Sequence, residues 1–197
     1  MDRFPKFHHH QGQKSEKDFG YTALDPLSRD VRYNLGVWHF WAERYDEAAR
    51  VFEGLTESEP EFIQGWEGLA ESLGAQGEYE EAVGVLQPER VFANVAYLRP
   101  LGMLGFLYGR VGRRADALAV LERLDQLEAD GRYVPPWFRA MVYAGLDEKD
   151  EALAWLERGY DSRDHWMIWL GSDPHLWGNL LSSPQFNDLL RRMDLGG

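Results

Sequence analysis

The feature that most constrains how this chain can fold is a pattern that recurs every 34 or 35 residues. The recurring positions are Leu35-Gly36, Leu69-Ala70 and Leu104-Gly105 in one stretch, and Ala48, Ala82, Ala117 and Ala152 in the next. Such a period is typical of chains in which each repeat is one supersecondary unit that must stack on its neighbours to bury its apolar face. The pattern therefore predicts an array of short helix pairs.

A period of 34 with Leu-Gly in one helix and Ala in the next resembles the tetratricopeptide repeat, a helix-turn-helix unit. The resemblance implies an all-α fold: a right-handed α-solenoid of about four such units, followed by a C-terminal capping helix. It also implies a non-catalytic scaffold for a peptide or a partner protein. Residues 133–136, 151–157 and 183–190 resemble the C-terminal end of such arrays in large bacterial signalling proteins. This second resemblance implies a sensor or docking segment of such a protein, or a stand-alone relative.

Composition and charge limit the possible partners. The chain is 44% hydrophobic, which is enough to form a core, and it has no Cys for a disulfide or a thiolate metal site. No apolar run approaches the roughly 20 residues needed to cross a bilayer, and the first residues do not resemble a signal peptide. The net charge of −12 disfavours nucleic acid, which requires a clustered positive face. We therefore expect a cytoplasmic protein without a membrane partner, and we expect no cofactor.

Three segments are expected along the chain: a flexible arm over 1–22, the repeat array over 23–160 and a C-terminal cap over 161–197. In the arm, His8-His9-His10 could bind a metal, although three adjacent histidines in a tail are more often incidental. Pro26 lies nine residues before Leu35, as Pro60 lies nine before Leu69. This spacing makes 23–28 similar to the end of an earlier repeat.

Turn and capping residues predict where the helices begin and end. Asp30 is expected to cap the first helix, and the first three turns are expected at Glu43-Arg44, Gly77 and Gly112. Pro60 and Pro88 should stop helices, and irregular chain is expected over 87–97. Pro100, Pro135-Pro136 and Ser183-Pro184 are start signals, the last for a terminal helix over 185–193. Arg139 stands where Leu recurs elsewhere, so the first helix of the fourth unit is expected to pack differently.

Small residues are expected where the two helices of a unit approach each other. Gly36, Ala70, Gly105 and Ala140 on the first helices should face Ala48, Ala82, Ala117 and Ala152 on the second helices. The larger Leu35, Leu69 and Leu104 should fill the space beside these contacts.

The resemblance implies that the first helices line a concave groove for the ligand. The groove residues expected from helical spacing are Tyr33, Val37, Phe40, Trp41, Gln64, Glu67, Glu71, Arg99, Phe106, Arg110, Trp137 and Met141. The alternative is that Phe40, Trp41, Phe106 and Trp137 belong to the core between repeats. Glu67 and Glu71 favour a basic or amphipathic partner. The Lys and Asn clamp by which some family members bind a terminal carboxylate is missing at the corresponding positions.

Charge is distributed unevenly, with ten Glu and no Lys or Arg over 51–89, then five Arg and no acid over 90–115. Either these stretches are solvated helix faces, or they form an acidic and a basic part of the groove. A tail cluster of Trp155, Trp166, Trp169 and Trp177 with Ile168, Leu170 and Leu180 either caps the array or forms an exposed patch.

Catalysis is not expected. Asp164-His165 and Asp173-Pro-His175 place acids beside imidazoles, but neither a metalloprotease motif nor a nucleotide loop is present. Two classes of function remain from the sequence: a protein-interaction scaffold, which could be part of a signalling protein, and an oligomerisation module.

Overall fold

The structure is a computed structural model that describes residues 28–87, 91–92 and 97–195. Every regular element within these ranges is a helix, which confirms the all-α class. The main helices are α1 (Arg29–Trp41), α2 (Tyr45–Ser58), α3 (Ile63–Gln76), α4 (Tyr79–Leu86), α5 (Arg99–Arg110), α6 (Arg114–Ala129), α7 (Pro136–Gly145) and α8 (Lys149–Asp161). A 3₁₀ helix (His165–Trp169), α9 (Pro174–Trp177) and α10 (Pro184–Arg192) follow.

The chain divides into two compact units, Met1–Gly77 and Glu78–Gly197. In the first unit, α1, α2 and α3 pack against one another. In the second unit, α5 contacts α4, α6 and α7, and α7 contacts α6 and α8. The tail elements pack on α7 and α8. These helix pairs follow one another along the chain as expected of an α-solenoid.

A residue with a left-handed backbone conformation recurs in the turn between the two helices of each repeat. The residues with positive φ are Glu43 (57°), Gly77 (88°), Gly112 (77°) and Asp147 (59°), again 34 or 35 residues apart. Glycine adopts this conformation without steric strain, and Glu and Asp do so at some energetic cost. The turns expected at Glu43-Arg44, Gly77 and Gly112 are thereby confirmed, and the fourth lies at Asp147.

The alanines expected at the helix contacts lie in the core. Ala48, Ala82, Ala117 and Ala152 are fully buried, and each donates its backbone N–H to the carbonyl of the residue four positions earlier. Leu69 and Leu104 are buried as expected, but Leu35 is 37% exposed. The prediction for Leu35 is therefore wrong, because the repeat pattern identifies a helix face without showing what covers it.

Most helix boundaries match the sequence signals. α2 ends at Ser58 shortly before Pro60, and α7 begins at Pro136. The hydroxyl of Ser183 accepts a bond from the Phe186 amide at the start of α10. The exception is Asp30, which lies in the first turn of α1, because Ser28 is the residue that precedes the helix.

Some expectations fall outside the described residues. These are the arm over 1–22, the histidine triplet and Pro26. The irregular segment expected over 87–97 is described only in part, and Val91 and Phe92 there have helical backbone. Among the described residues, no helix combines the length and the apolar character needed to cross a bilayer.

Candidate partner-binding surfaces

In the second unit, a glycine stripe on α5 brings this helix into direct contact with α7. The stripe consists of Gly102, Gly105 and Gly109. A methyl group placed on Gly105 would lie 2.5 Å from a methyl carbon of Val142, and one placed on Gly109 would lie 2.3 Å from the backbone of Gly145. The first helices therefore touch because the glycines carry no side chain. This is the physical role of the glycine-rich segment of α5.

This close packing removes several expected groove residues from the surface. Phe106 on α5 and Trp137 and Met141 on α7 are buried. A methyl group placed on Gly145 would lie 2.2 Å from the backbone oxygen of Phe106, so the backbones meet at this point. The groove assignment of Phe106, Trp137 and Met141 is replaced by the alternative, in which these residues are core.

In the first unit, an aromatic ring lies beside the glycines of the first helices. The Phe52 ring of α2 lies beside Gly36 of α1 and Gly68 of α3, and methyl groups on these glycines would lie 2.7 Å and 2.5 Å from it. Tyr33 packs edge-on against Phe62, with ring centroids 5.5 Å apart. Phe40 is buried beside Tyr45, with centroids 5.3 Å apart, and is therefore also core.

The remaining expected groove residues are accessible to different degrees. Trp41 is 42% exposed, at the C-terminal end of α1, and Arg110 is exposed at the C-terminal end of α5. Four others, Tyr33, Val37, Gln64 and Arg99, are half-buried. Trp41 and Arg110 are therefore the groove residues that a partner can reach most readily, one in each unit.

The expected acidic wall on α3 is not an open surface. Glu67 is 1% exposed, and Glu71 is also buried. A buried carboxylate is not a solvated charge that a partner meets first. The argument from these residues for a basic partner therefore loses its structural support.

The arginines that follow the acidic stretch are paired within the second unit. Arg110 donates to the Tyr79 hydroxyl at 3.4 Å, and its guanidinium carbon lies 5.0 Å from the centre of the ring. Arg113 donates to Asp116 at 2.6 Å, and this hydrogen bond raises the pKa of Arg113. Arg114 pairs with Glu148. Such internal pairing favours the interpretation of this basic stretch as ordinary helix surface.

Arg139 departs from the repeat pattern and has a specific structural role. Its side chain is buried, and it donates to Asp125 at 2.8 Å and to Glu128 at 2.7 Å, both on α6. Its guanidinium carbon lies 4.8 Å from the Trp155 ring centre. Burial, together with the nearby Glu148 and Asp125 carboxylates, raises the pKa of Tyr143. The different packing expected of this helix is a buried cation that contacts α6 and α8.

The aromatic tail covers α7, as the capping interpretation requires. Trp177 is buried edge-on against Trp137, with ring centroids 4.9 Å apart, and the Trp166 ring lies 5.5 Å from Phe138. The buried Asp164 carboxylate accepts the backbone N–H groups of Trp137 at 3.3 Å and Trp166 at 3.1 Å. Asp164 therefore holds the start of α7 to the 3₁₀ helix, a role that the sequence analysis did not assign.

Part of the tail cluster remains on the surface. Ile168 is 59% exposed and Trp169 is 40% exposed, both in the 3₁₀ helix. The tail therefore contains both expected features, a buried cap formed by Trp177, Leu170 and Leu180, and an exposed apolar pair.

The described histidines lie in different surroundings. His165 is exposed, with Nδ1 3.7 Å from the Asp164 carboxylate, while His39 is buried in α1. No group of three residues that could hold a metal ion occurs in the described part of the chain.

Comparison with known families agrees with this geometry. A sequence model of the tetratricopeptide repeat matches residues 64–88, 98–123 and 137–158, which correspond to the pairs α3–α4, α5–α6 and α7–α8. Over these residues the chain is similar to tetratricopeptide repeat proteins. Neither the comparison with curated proteins nor that with solved structures gave a significant match. Tetratricopeptide repeats generally mediate protein–protein interaction, and proteins built from them are typically non-catalytic scaffolds.

Proposed function

We propose that this protein is a non-catalytic scaffold that binds a partner protein or peptide on the accessible residues of its first helices. The observation that carries this proposal is the set of tetratricopeptide repeats, together with an exposed tryptophan on the first of these helices. Tryptophan is enriched among the residues that dominate binding energies at protein interfaces. Trp41 is therefore the proposed anchor in the first unit.

The accessible residues favour an amphipathic partner. Around Trp41, the half-buried Val37 and Tyr33 add apolar surface on α1. In the second unit, Arg110 and Arg99 on α5 offer positive charge. An apolar side chain of a partner would complement the α1 residues of the first unit. An acidic group would complement the α5 arginines of the second unit better than the basic segment suggested by Glu67 and Glu71.

The test compares wild-type protein with Trp41→Ala in a quantitative pull-down, followed by titration of the recovered partner in purified form. Loss of an aromatic anchor at an interface should weaken binding by about 2 kcal/mol, roughly thirtyfold in Kd. Leu118→Ala is the matched control, because Leu118 has similar exposure but lies on α6, a second helix. A partner that binds Trp41→Ala as tightly as wild type would contradict the assignment of the surface.

A second candidate function is self-association through the tail. The exposed pair Ile168 and Trp169 is the observation that favours it. Light scattering across a range of protein concentrations tests this candidate: a mass that rises with concentration and returns to that of a monomer in Ile168→Ser would support it. A monomer at all concentrations would exclude it.

The regulatory alternative rests on the sequence resemblance of the tail to arrays in bacterial signalling proteins. In that case the binding surface would act as the sensor or docking segment of a regulator, a kinase or a cyclase. The full reading frame and its genomic neighbours would decide between this role and that of a separate scaffold.

A further inference from the structure

One helix in the first unit presents an apolar face opposite the core. Val31, Leu35 and Trp38 of α1, together with the C-cap residue Ala42, follow the helical spacing i, i+4, i+7 and i+11, and we call them the outer stripe. Leu35 and Trp38 are each 37% exposed. The other side of the same helix is buried through Gly36, His39 and Phe40. A helix that is apolar on two sides is typical of a position covered on both.

The equivalent residues of the later repeats are covered. At the position of Leu35, the exposures are 8% for Leu69, 0% for Leu104 and 1% for Arg139. At the position of Trp38, the residues Ser72, Leu107 and Val142 are all fully buried. Among the described repeats, these two positions are therefore exposed only in the first, at Leu35 and Trp38.

The element that covers each later face is the second helix of the preceding repeat. In the first unit, a methyl group on Gly65 of α3 would lie 3.4 Å from the Leu55 side chain of α2. In the second unit, Arg139 of α7 bonds to Asp125 and Glu128 of α6, and α4 packs on α5. By analogy, the outer stripe is positioned to contact a segment that lies about one repeat before α2 in the sequence.

The segment that lies 34 residues before the end of α2 resembles that end in sequence. The segment 19–26 (FGYTALDP) corresponds to 53–60 (EGLTESEP). Gly20, Thr22 and Pro26 are identical to their counterparts, Tyr21 is an apolar match to Leu55, and Asp25 is an acidic match to Glu59. In the same alignment, Gly65 corresponds to Val31, so the pair Leu55 and Gly65 corresponds to the pair Tyr21 and Val31.

We propose that residues 19–26 of this chain occupy the outer stripe of α1, with Tyr21 against Val31, in the way the end of α2 covers α3. The short connection favours this occupant over a second copy or another protein. Only four residues separate Leu24 from Arg29, as four separate Ser58 from Ile63, so the segment is present at high effective concentration.

The absence of cysteine from the chain allows a clean crosslinking test in the full-length protein. In the double variant Tyr21→Cys/Val31→Cys, the two side chains would be close enough for a disulfide to form on mild oxidation. Tyr21→Cys/Asp30→Cys is the matched control, because Asp30 is exposed and adjacent in sequence but projects about 100° away around the helix. Leu55→Cys/Gly65→Cys serves as the positive control.

We expect the Tyr21/Val31 pair to form an intramolecular disulfide about tenfold faster than the Tyr21/Asp30 pair, and at a rate similar to that of the positive control. Equal rates for the two test pairs would overturn the proposal. Disulfide-linked dimers of a single Val31→Cys variant, formed faster than the intramolecular bond, would instead assign the outer stripe to a second copy. Because Trp41 lies beside the stripe rather than on it, failure here leaves the Trp41 test of partner binding unaffected.

Discussion

The two units of this protein bring their first helices together by different means. In the first unit, the Phe52 ring of α2 fills the space beside Gly36 and Gly68, so a side chain from a third helix shapes the contact. In the second unit, no ring intervenes at the closest point, and Gly109 and Gly145 let the backbones of α5 and α7 touch. Glycine therefore takes part in two kinds of packing. In the first unit the glycines face a side chain, and in the second unit they face the backbone of another helix.

This difference determines how each unit should respond to mutation. Where a glycine faces a side chain, the neighbour can be exchanged for a smaller one. Where a glycine faces backbone atoms, no change of a neighbouring side chain can make room, and the helices must separate. The variants below separate the two cases, beginning with the largest expected effect.

Removing the ring from the first unit should have the largest effect. Phe52 is almost fully buried, and Phe52→Ala would leave a cavity between α1, α2 and α3. We expect a loss of about 3–5 kcal/mol in the free energy of unfolding, measured by urea denaturation. Gly54→Ala, which adds a methyl group in open space on the same helix, is the control and should not destabilise the protein. A loss below about 1 kcal/mol for Phe52→Ala would show that the ring does not fill this contact.

Adding one methyl group at the backbone contact of the second unit should cause the second-largest loss of stability. In Gly145→Ala, the new carbon would lie 2.2 Å from the Phe106 carbonyl oxygen, so α5 and α7 must move apart. We expect a loss of about 3 kcal/mol, at the upper end for overpacking, in the same denaturation experiment. The control is Gly84→Ala on α4, where nothing lies within 4 Å of the added methyl group. Gly84→Ala should gain up to about 1 kcal/mol, and equal behaviour of the two variants would refute the contact.

Changing Arg139 should have the smallest effect if the replacement fills the same space. Its partners Asp125 and Glu128 are more than half exposed, so they can return to water when the arginine is lost. Arg139→Leu restores the residue found at the equivalent Leu69 and Leu104, and we expect a change within about 1 kcal/mol. Arg139→Ala should cost about 2 kcal/mol, because the shorter side chain also leaves the space beside Trp155 unfilled. If both variants are equally destabilised, the ion pairs matter more than the packing.

The sequence was sufficient for the helix pairs, because their turns and start signals are local. Gly77, Gly112 and Ser183 act where their chemistry predicts. Burial depth was harder to predict, since helical spacing shows which residues share a face but not what lies opposite. Phe106 and Glu67 were therefore expected in a groove but are buried. Only the coordinates show that the glycines of α5 meet a neighbouring first helix rather than the alanine of their own repeat.

The sequence showed which single residues depart from the repeat pattern, but it did not show what these residues do. Arg139, at a position where Leu recurs in other repeats, indicated unusual packing. The partners of Arg139 on α6 and α8 could not be predicted, because only the tertiary structure brings them together. Asp164 was noticed for its neighbouring histidine, whereas its carboxylate instead holds two backbone amides. Local sequence cannot distinguish these roles, because the amide of Trp137 lies 27 residues away in the chain.

The most direct test of the two kinds of packing is a pair of double-mutant cycles. The double variant Gly68→Ala/Phe52→Leu should lose at least about 1 kcal/mol less free energy of unfolding than the two single variants lose in sum. The reason is that the smaller side chain makes room for the methyl group. Combining Gly145→Ala with Phe106→Leu should recover less than about 0.5 kcal/mol, since the obstacle is the backbone of Phe106. Equal recovery in both cycles, or a larger one in the second unit, would contradict the account.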